Sequence, residues 1–208
     1  MVRLVEVIDD PGSSKVYVVM EYGGVPLESF SPSFLKQSLE GLRHLHASGV
    51  AHGDLKVEHL LRDDRTGVVK IVDFGSSEVF RNIEENDTLV RSPGTPAYTA
   101  PECCTGEPYS SRKADVWALG IAFFVLRYGT FPFQSKSADD MYEEIRNTEV
   151  CFPEPETHFP CSPLLRRMLS RDPEARPSAD QLLRHMHMEL SNSSVNEIED
   201  NFARSVGF

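Results

Sequence analysis

HGDLKVEHLL at residues 52–61 decides the reading of this chain, because of what stands on either side of it. Upstream, Ser31 and Pro32 open a helix in which Leu35, Leu39, Leu42 and Leu45 recur at helical spacing up to Gly49. The HGD loop is therefore displayed from the end of a rigid element. Downstream, DFG at 73–75 is followed by a polar stretch of about 25 residues without periodicity, a length that compact domains reserve for functional loops. That stretch ends in GTPAYTAPE at 94–102, DVWALG at 115–120 opens a long apolar run, and RDPEARPSA at 171–179 follows among further helical segments. Ahead of the helix, residues 2–8 and 15–20 are β-branched apolar runs around a turn, Asp9-Asp10-Pro11-Gly12-Ser13-Ser14. Glu21-Tyr22-Gly23-Gly24 then breaks the strand pattern as a linker would.

The chain has 208 residues, 40% of them hydrophobic, enough for one sizeable core without disulfides. Its four cysteines, Cys103, Cys104, Cys151 and Cys161, lack metal-ligand spacing, and the adjacent pair is poorly placed to bridge. A reducing, cytoplasmic setting is expected. The longest apolar run, 116–126, is about half of what a membrane span requires. A net charge of −11 disfavours nucleic acid or an anionic membrane as partner, and leans toward basic substrates.

The four strings and their order resemble the catalytic half of a eukaryotic protein kinase of the Ser/Thr type. The resemblance covers about residues 2–188. It implies an α+β fold with a two-strand remnant of the small lobe over 1–20, a hinge at 21–24 and a mostly helical large lobe over 25–188. The implied reaction moves the γ-phosphate of ATP to protein hydroxyls. Asp54 would orient the substrate hydroxyl and accept its proton, Lys56 would stabilise the migrating phosphate, and Thr95 would hydrogen-bond near both. Asp-x-Lys is the Ser/Thr pattern. Asp73 would bind Mg²⁺, a hard oxygen ligand for an ion on the nucleotide phosphates. Glu21 and Gly23 would hold adenine through hinge backbone, Met20 would limit pocket depth, and Leu61 would lie on the same cofactor side. His52 and Phe74 would pack between lobes, Glu102 would pair with Arg176, and Asp115 would hold the HGD turn.

Within the family the resemblance is nearest to the calcium/calmodulin-dependent protein kinase kinases, through RLVEVIDDP at 3–11, VYVVME at 16–21, DFGSSEVF at 73–80 and GTPAYTAPE at 94–102. The partner implied is a protein substrate, with another kinase as one candidate. Residues 189–208 read as an acidic mobile tail with one basic residue, Arg204, among four acids, so no calmodulin site is evident there.

The pattern departs from the family in four places. No glycine-rich loop, strand lysine or helix glutamate can be assigned, so the 208 residues are expected to belong to a longer protein. Gly53 stands where the family has an arginine that grips an activation-loop phosphate. His59 stands where an asparagine supplies the second metal contact, and imidazole shifts the preference from Mg²⁺ toward Mn²⁺. The stretch between hinge and Pro32 is short, so the helix at the front of the nucleotide cleft is expected to be reduced or missing. Gly53 and His59 keep a second reading in view, a pseudokinase serving as scaffold or allosteric partner. His185 and His187, on different faces of a helix, read as structural, and Cys103 and Cys104 as packing. Asn86-Asp87-Thr88 matches a glycosylation acceptor, irrelevant in the cytoplasm.

Overall fold

The first two β-branched runs pair as an antiparallel hairpin, β1 (Leu4–Asp9) and β2 (Val16–Met20), with Asp9 opposite Val16 and Leu4 opposite Met20. The computed structural model describes residues 2–10, 12, 14–80, 87–90, 94–153 and 161–186. Among them nothing covers the hairpin: Leu4, Val5, Val7, Val16, Tyr17, Val18 and Met20 are each 52–58% exposed. Residues 21–31 hold β3 (Val25–Pro26) and no helix. A helix is therefore absent from this stretch, as its shortness suggested. The acidic tail, His187, Asn86 and parts of the long polar loop lie outside the described residues.

Pro32 opens α1 (Pro32–Ala47), whose Leu35, Leu39 and Leu42 are fully buried. Its pre-set φ suits the first turn, where a missing N–H costs nothing. The chain then runs through β4 (Val50–Ala51), β5 (Leu60–Arg62), β6 (Val69–Ile71) and β7 (Glu78–Val79). β3, β5 and β6 form one antiparallel sheet in that order, and β4 pairs with β7. The HGD loop is thus pinned before and after by short ladders. β8 (Thr88–Leu89) pairs with β9 (Tyr109–Ser110), bringing the long loop back to the start of α2 (Ser111–Tyr128).

Helical pattern is readable in the sequence from Lys113, but α2 begins two residues earlier, because the Ser110 hydroxyl accepts the Lys113 N–H as an N-cap. Gly129, at φ 70°, closes it in the left-handed conformation that a side chain disfavours. Residues 116–124 of α2 are all buried. A helix apolar on every side must be wrapped, and α4 (Ser162–Met168), the turns at Val57–His59 and Pro96–Tyr98, and strands β4 and β9 supply the wrapping, with α3 (Ala138–Asn147) against the turns at Pro96–Tyr98 and Pro101–Cys104. Trp117 stacks with Phe133 at 6.4 Å, and Phe123 meets Phe30 edge-on at 5.8 Å. A last helical stretch covers residues 179–186, with Leu182 buried. Among the described residues no helix is long and apolar enough to cross a membrane.

Candidate active site

The Asp54 carboxylate sits where the HGD loop meets the Gly94–Thr95 segment. Its Oδ1 accepts the Thr95 N–H at 3.0 Å and the Thr95 hydroxyl at 2.8 Å, and its Oδ2 accepts from Lys56 Nζ at 3.1 Å. Lys56 Nζ also reaches Thr95 Oγ1 at 3.4 Å. Gly94 makes this approach feasible, since a Cβ there would stand 2.8 Å from Asp54 Oδ1. Burial pushes the Asp54 carboxyl upward, but the hydrogen bonds from Thr95 and Lys56 outweigh it and hold the group below the ordinary carboxylate range. The structure thus brings Asp54, Lys56 and Thr95 together as one ionised cluster.

Beneath it, Asp115 of α2 holds the turn. Its Oδ2 accepts the His52 N–H at 2.8 Å and its Oδ1 the Gly53 N–H at 2.9 Å. Gly53, at φ 78°, adopts the left-handed turn that presents both amides. His46, a residue that no sequence motif marks, donates from Nε2 to Asp115 Oδ2 at 2.9 Å and completes the carboxylate's shell. His52 is fully buried; its Nε2–H donates to the Val72 carbonyl at 2.9 Å, and its ring lies 5.2 Å from that of Phe74. Burial holds its pKa below the usual histidine value, consistent with a neutral packing residue.

Asp73 is, among the described residues, the one non-glycine with positive φ, at 65°. Such strain is sustained where a side chain must be aimed. Its side chain is 60% exposed, and Oδ2 lies 3.2 Å from His59 Nε2. His59 Nδ1 is 2.8 Å from the Asp54 carbonyl oxygen. A carbonyl only accepts, so Nδ1 donates its hydrogen there, and Nε2 is the ring nitrogen that faces the Asp73 carboxylate. A carboxylate oxygen and an imidazole nitrogen are donor types that divalent metals take, so Asp73 and His59 are the residues that would hold one here.

In the 21–24 segment, Gly23 packs directly on Leu61: a Cβ at Gly23 would stand 2.7 Å from Leu61 Cδ1 and 3.7 Å from Val72 Cγ1. Met20 remains exposed at the end of the hairpin. The Glu21 side chain is engaged by Lys70 Nζ at 3.2 Å, and Lys70 also lies 3.7 Å from Asp63. The Lys70 hydrogen bond, helped by one from the Arg3 backbone, holds Glu21 below its usual pKa. Lys70 ties the 21–24 segment to the β5–β6 sheet, and no sequence signal beyond its charge announces it.

Glu102 and Arg176 meet across 74 residues in a bidentate pair at 2.5 and 3.0 Å. Cys103 and Cys104, beside it, are packed rather than poised: burial raises both thiols, Cys104 to about 11.

Residues 1–188 match the model of the protein kinase domain. The chain belongs to the protein kinase family. It is 36% identical over 209 residues to the serine/threonine-protein kinase GRIK1 of Arabidopsis thaliana, covering 95% of this chain and 52% of that protein. It is 38% identical over 197 residues to the serine/threonine-protein kinase ssp1 of Schizosaccharomyces pombe, covering 85% of this chain and 30% of that one. With the serine/threonine-protein kinase STK11 of Gallus gallus it shares 32% over 199 residues, 89% of this chain and 45% of the relative. The chain spans about half the length, or less, of the curated relatives it matches.

Proposed function

We propose that the protein carrying this chain is a Ser/Thr kinase that transfers the γ-phosphate of ATP to protein hydroxyls, with Asp54 as the residue that orients the hydroxyl and takes its proton. The observation that carries this reading is the Asp54, Lys56 and Thr95 cluster: an ionised carboxylate fixed at both oxygens, with an ammonium beside it. As the substrate oxygen bonds to the γ-phosphorus, the bond to ADP breaks and the hydroxyl proton passes to Asp54. Lys56 offsets the negative charge on the migrating group, and Thr95 keeps the carboxylate from turning away. A divalent ion, when bound, neutralises charge on the phosphates, and Asp73 and His59 are the residues that would hold it. Gly23, Glu21 and Leu61 border the adenine side, with Met20 at its inner limit. Glu102, Arg176, Asp115, His52 and Phe74 act as supports. The intact cluster favours turnover over a scaffold role.

The finer reading, kinship with the calcium/calmodulin-dependent protein kinase kinases, rests on RLVEVIDDP and DFGSSEVF and points to another kinase as substrate and to the cytoplasm. Incubating the full protein with γ-labelled ATP and a panel of kinase-derived peptides tests both levels. Label on serine or threonine is expected; transfer no higher than in an Asp54→Asn control would overturn the reading.

His59 sets a prediction of its own. Nitrogen ligands favour softer divalent ions than Mg²⁺, so the ratio of Mn²⁺ to Mg²⁺ affinity should fall by about tenfold in His59→Asn. Titration of Mn²⁺ by electron paramagnetic resonance, with a non-hydrolysable ATP analogue present, reads this without turnover. An unchanged ratio would remove His59 from the metal shell.

A further inference from the structure

Asp87 gathers hydrogen bonds where the segment after DFG returns to α2. Its Oδ2 accepts from Ser110 Oγ at 2.6 Å, from the Arg112 N–H at 3.0 Å and from Arg112 Nε at 3.1 Å. Its carbonyl oxygen accepts from the Ser111 N–H at 3.1 Å and from Ser111 Oγ at 3.0 Å. The side chain is 14% exposed. Burial pushes its carboxyl upward, yet the hydrogen bonds from Ser110 and Arg112 outweigh that and keep it ionised. A carboxylate against the first turn of a long helix also meets the positive end of the helix dipole. Immediately after it, Thr88 pairs with Ser110 and Leu89 with Tyr109. At the far end of the same segment, Thr95 closes on Asp54 through its N–H and hydroxyl. Of the described residues, 87–89 are thus anchored to the start of α2, and Thr95 to the Asp54 carboxylate.

Gly53 offers no guanidinium to a phosphate, and its N–H is committed to Asp115. The carboxylate that meets the start of α2 belongs to Asp87 itself. We propose that Asp87 is a positioning residue that holds the substrate-facing segment on the N-terminus of α2, so that docking requires no phosphate on that segment. The proposal rests on the kinase reading only for its kinetic consequence; the docking itself is a property of the 208-residue chain.

Two measurements test it. Hydrogen exchange on the chain should show the Ser111 and Arg112 amides exchanging about tenfold faster in Asp87→Asn than in wild type, with amides of the α2 interior unchanged, and Asp87→Glu should recover part of the protection. In the full protein, Asp87→Asn should raise the KM for a peptide substrate by about tenfold while the KM for ATP stays within about twofold, and phosphatase treatment of wild type should leave both constants in place. Unaltered exchange at the two amides in Asp87→Asn would overturn the docking role. Loss of peptide affinity on dephosphorylation would overturn its independence from phosphate. Wild-type protein without transfer activity would sink the kinase reading alone, because the exchange result still decides whether Asp87 holds the segment.

Discussion

Asp54→Asn should lower kcat by about 10²- to 10⁴-fold in the full protein and leave ATP binding nearly intact. The carboxylate now accepts on both sides, from Thr95 on Oδ1 and from Lys56 on Oδ2. Asparagine cannot do this. If its oxygen keeps the Thr95 bonds, its NH₂ faces the Lys56 ammonium, donor against donor, so the substitution removes the proton acceptor and displaces the neighbouring cation together. Nothing in this exchange touches the Gly23 and Leu61 side where adenine is expected, so the loss belongs in kcat rather than in the KM for ATP. Steady-state kinetics at saturating peptide decide it, and a kcat within about threefold of wild type would remove Asp54 from the chemistry. The pH dependence follows from the same bonds. A carboxylate whose folded pKa is depressed stays ionised through the neutral range, so Asp54 should contribute no acid limb above about pH 5. Its stabilising bonds are fully present above the unfolded value near 4 and fade as pH falls through the lower folded one.

How far the sequence discloses this site depends on what kind of contact each residue makes. Asp54, Lys56 and Asp73 lie within strings whose order is itself the signal, and Glu102 and Arg176 lie in two more, so their meeting across the chain is legible without coordinates. Leu35, Leu39, Leu42 and the 116–124 run are legible for another reason: burial on a helix imposes periodicity, or abolishes polarity altogether. His46, Lys70 and Asp87 are silent because each is an ordinary polar residue whose partner lies on a different element. His46 sits in a helix turn that could equally face water, and only the fold brings it to Asp115. Lys70 is one lysine in a strand until β6 lies beside the 21–24 segment. Asp87 falls in a polar stretch where local pattern conveys only loop, and its five acceptor contacts depend on β8 pairing with β9 to set the register. The start of α2 is misplaced by two residues for a similar cause, since the capping role of Ser110 is a matter of one hydroxyl's direction rather than of composition.

Arg176→Ala should destabilise the folded chain by about 3–5 kcal/mol, the largest loss expected from any single support of the site. The guanidinium is fully buried, and all five of its N–H groups are used. Two reach Glu102 at 2.5 and 3.0 Å, one the Lys113 carbonyl at 2.8 Å, and two the Ser170 carbonyl, from Nε at 3.1 Å and from an Nη at 2.9 Å. The group also lies 5.1 Å from the centre of the Trp117 ring, and the Arg176 carbonyl accepts from Lys113 Nζ. Truncation leaves Glu102 as a carboxylate only 12% exposed without its counter-charge, the Ser170 and Lys113 carbonyls without the Arg176 N–H groups, and a void against Trp117. For a domain of this size the midpoint of thermal unfolding should fall by about 10 °C. Arg176→Lys should recover little, because an ammonium on a flexible stem cannot reproduce a planar fork that reaches three acceptor groups in different directions. The double variant Glu102→Gln with Arg176→Met should lose less than the two single losses added together, since it removes both charges and refills the space beside Trp117. Thermal melts of wild type, Glu102→Gln, Arg176→Met and the double variant measure the coupling, with Arg176→Ala and Arg176→Lys melted alongside. A drop of less than about 2 °C in Arg176→Ala, or strictly additive losses in the double variant, would show that the pair is not what joins residues 102 and 176.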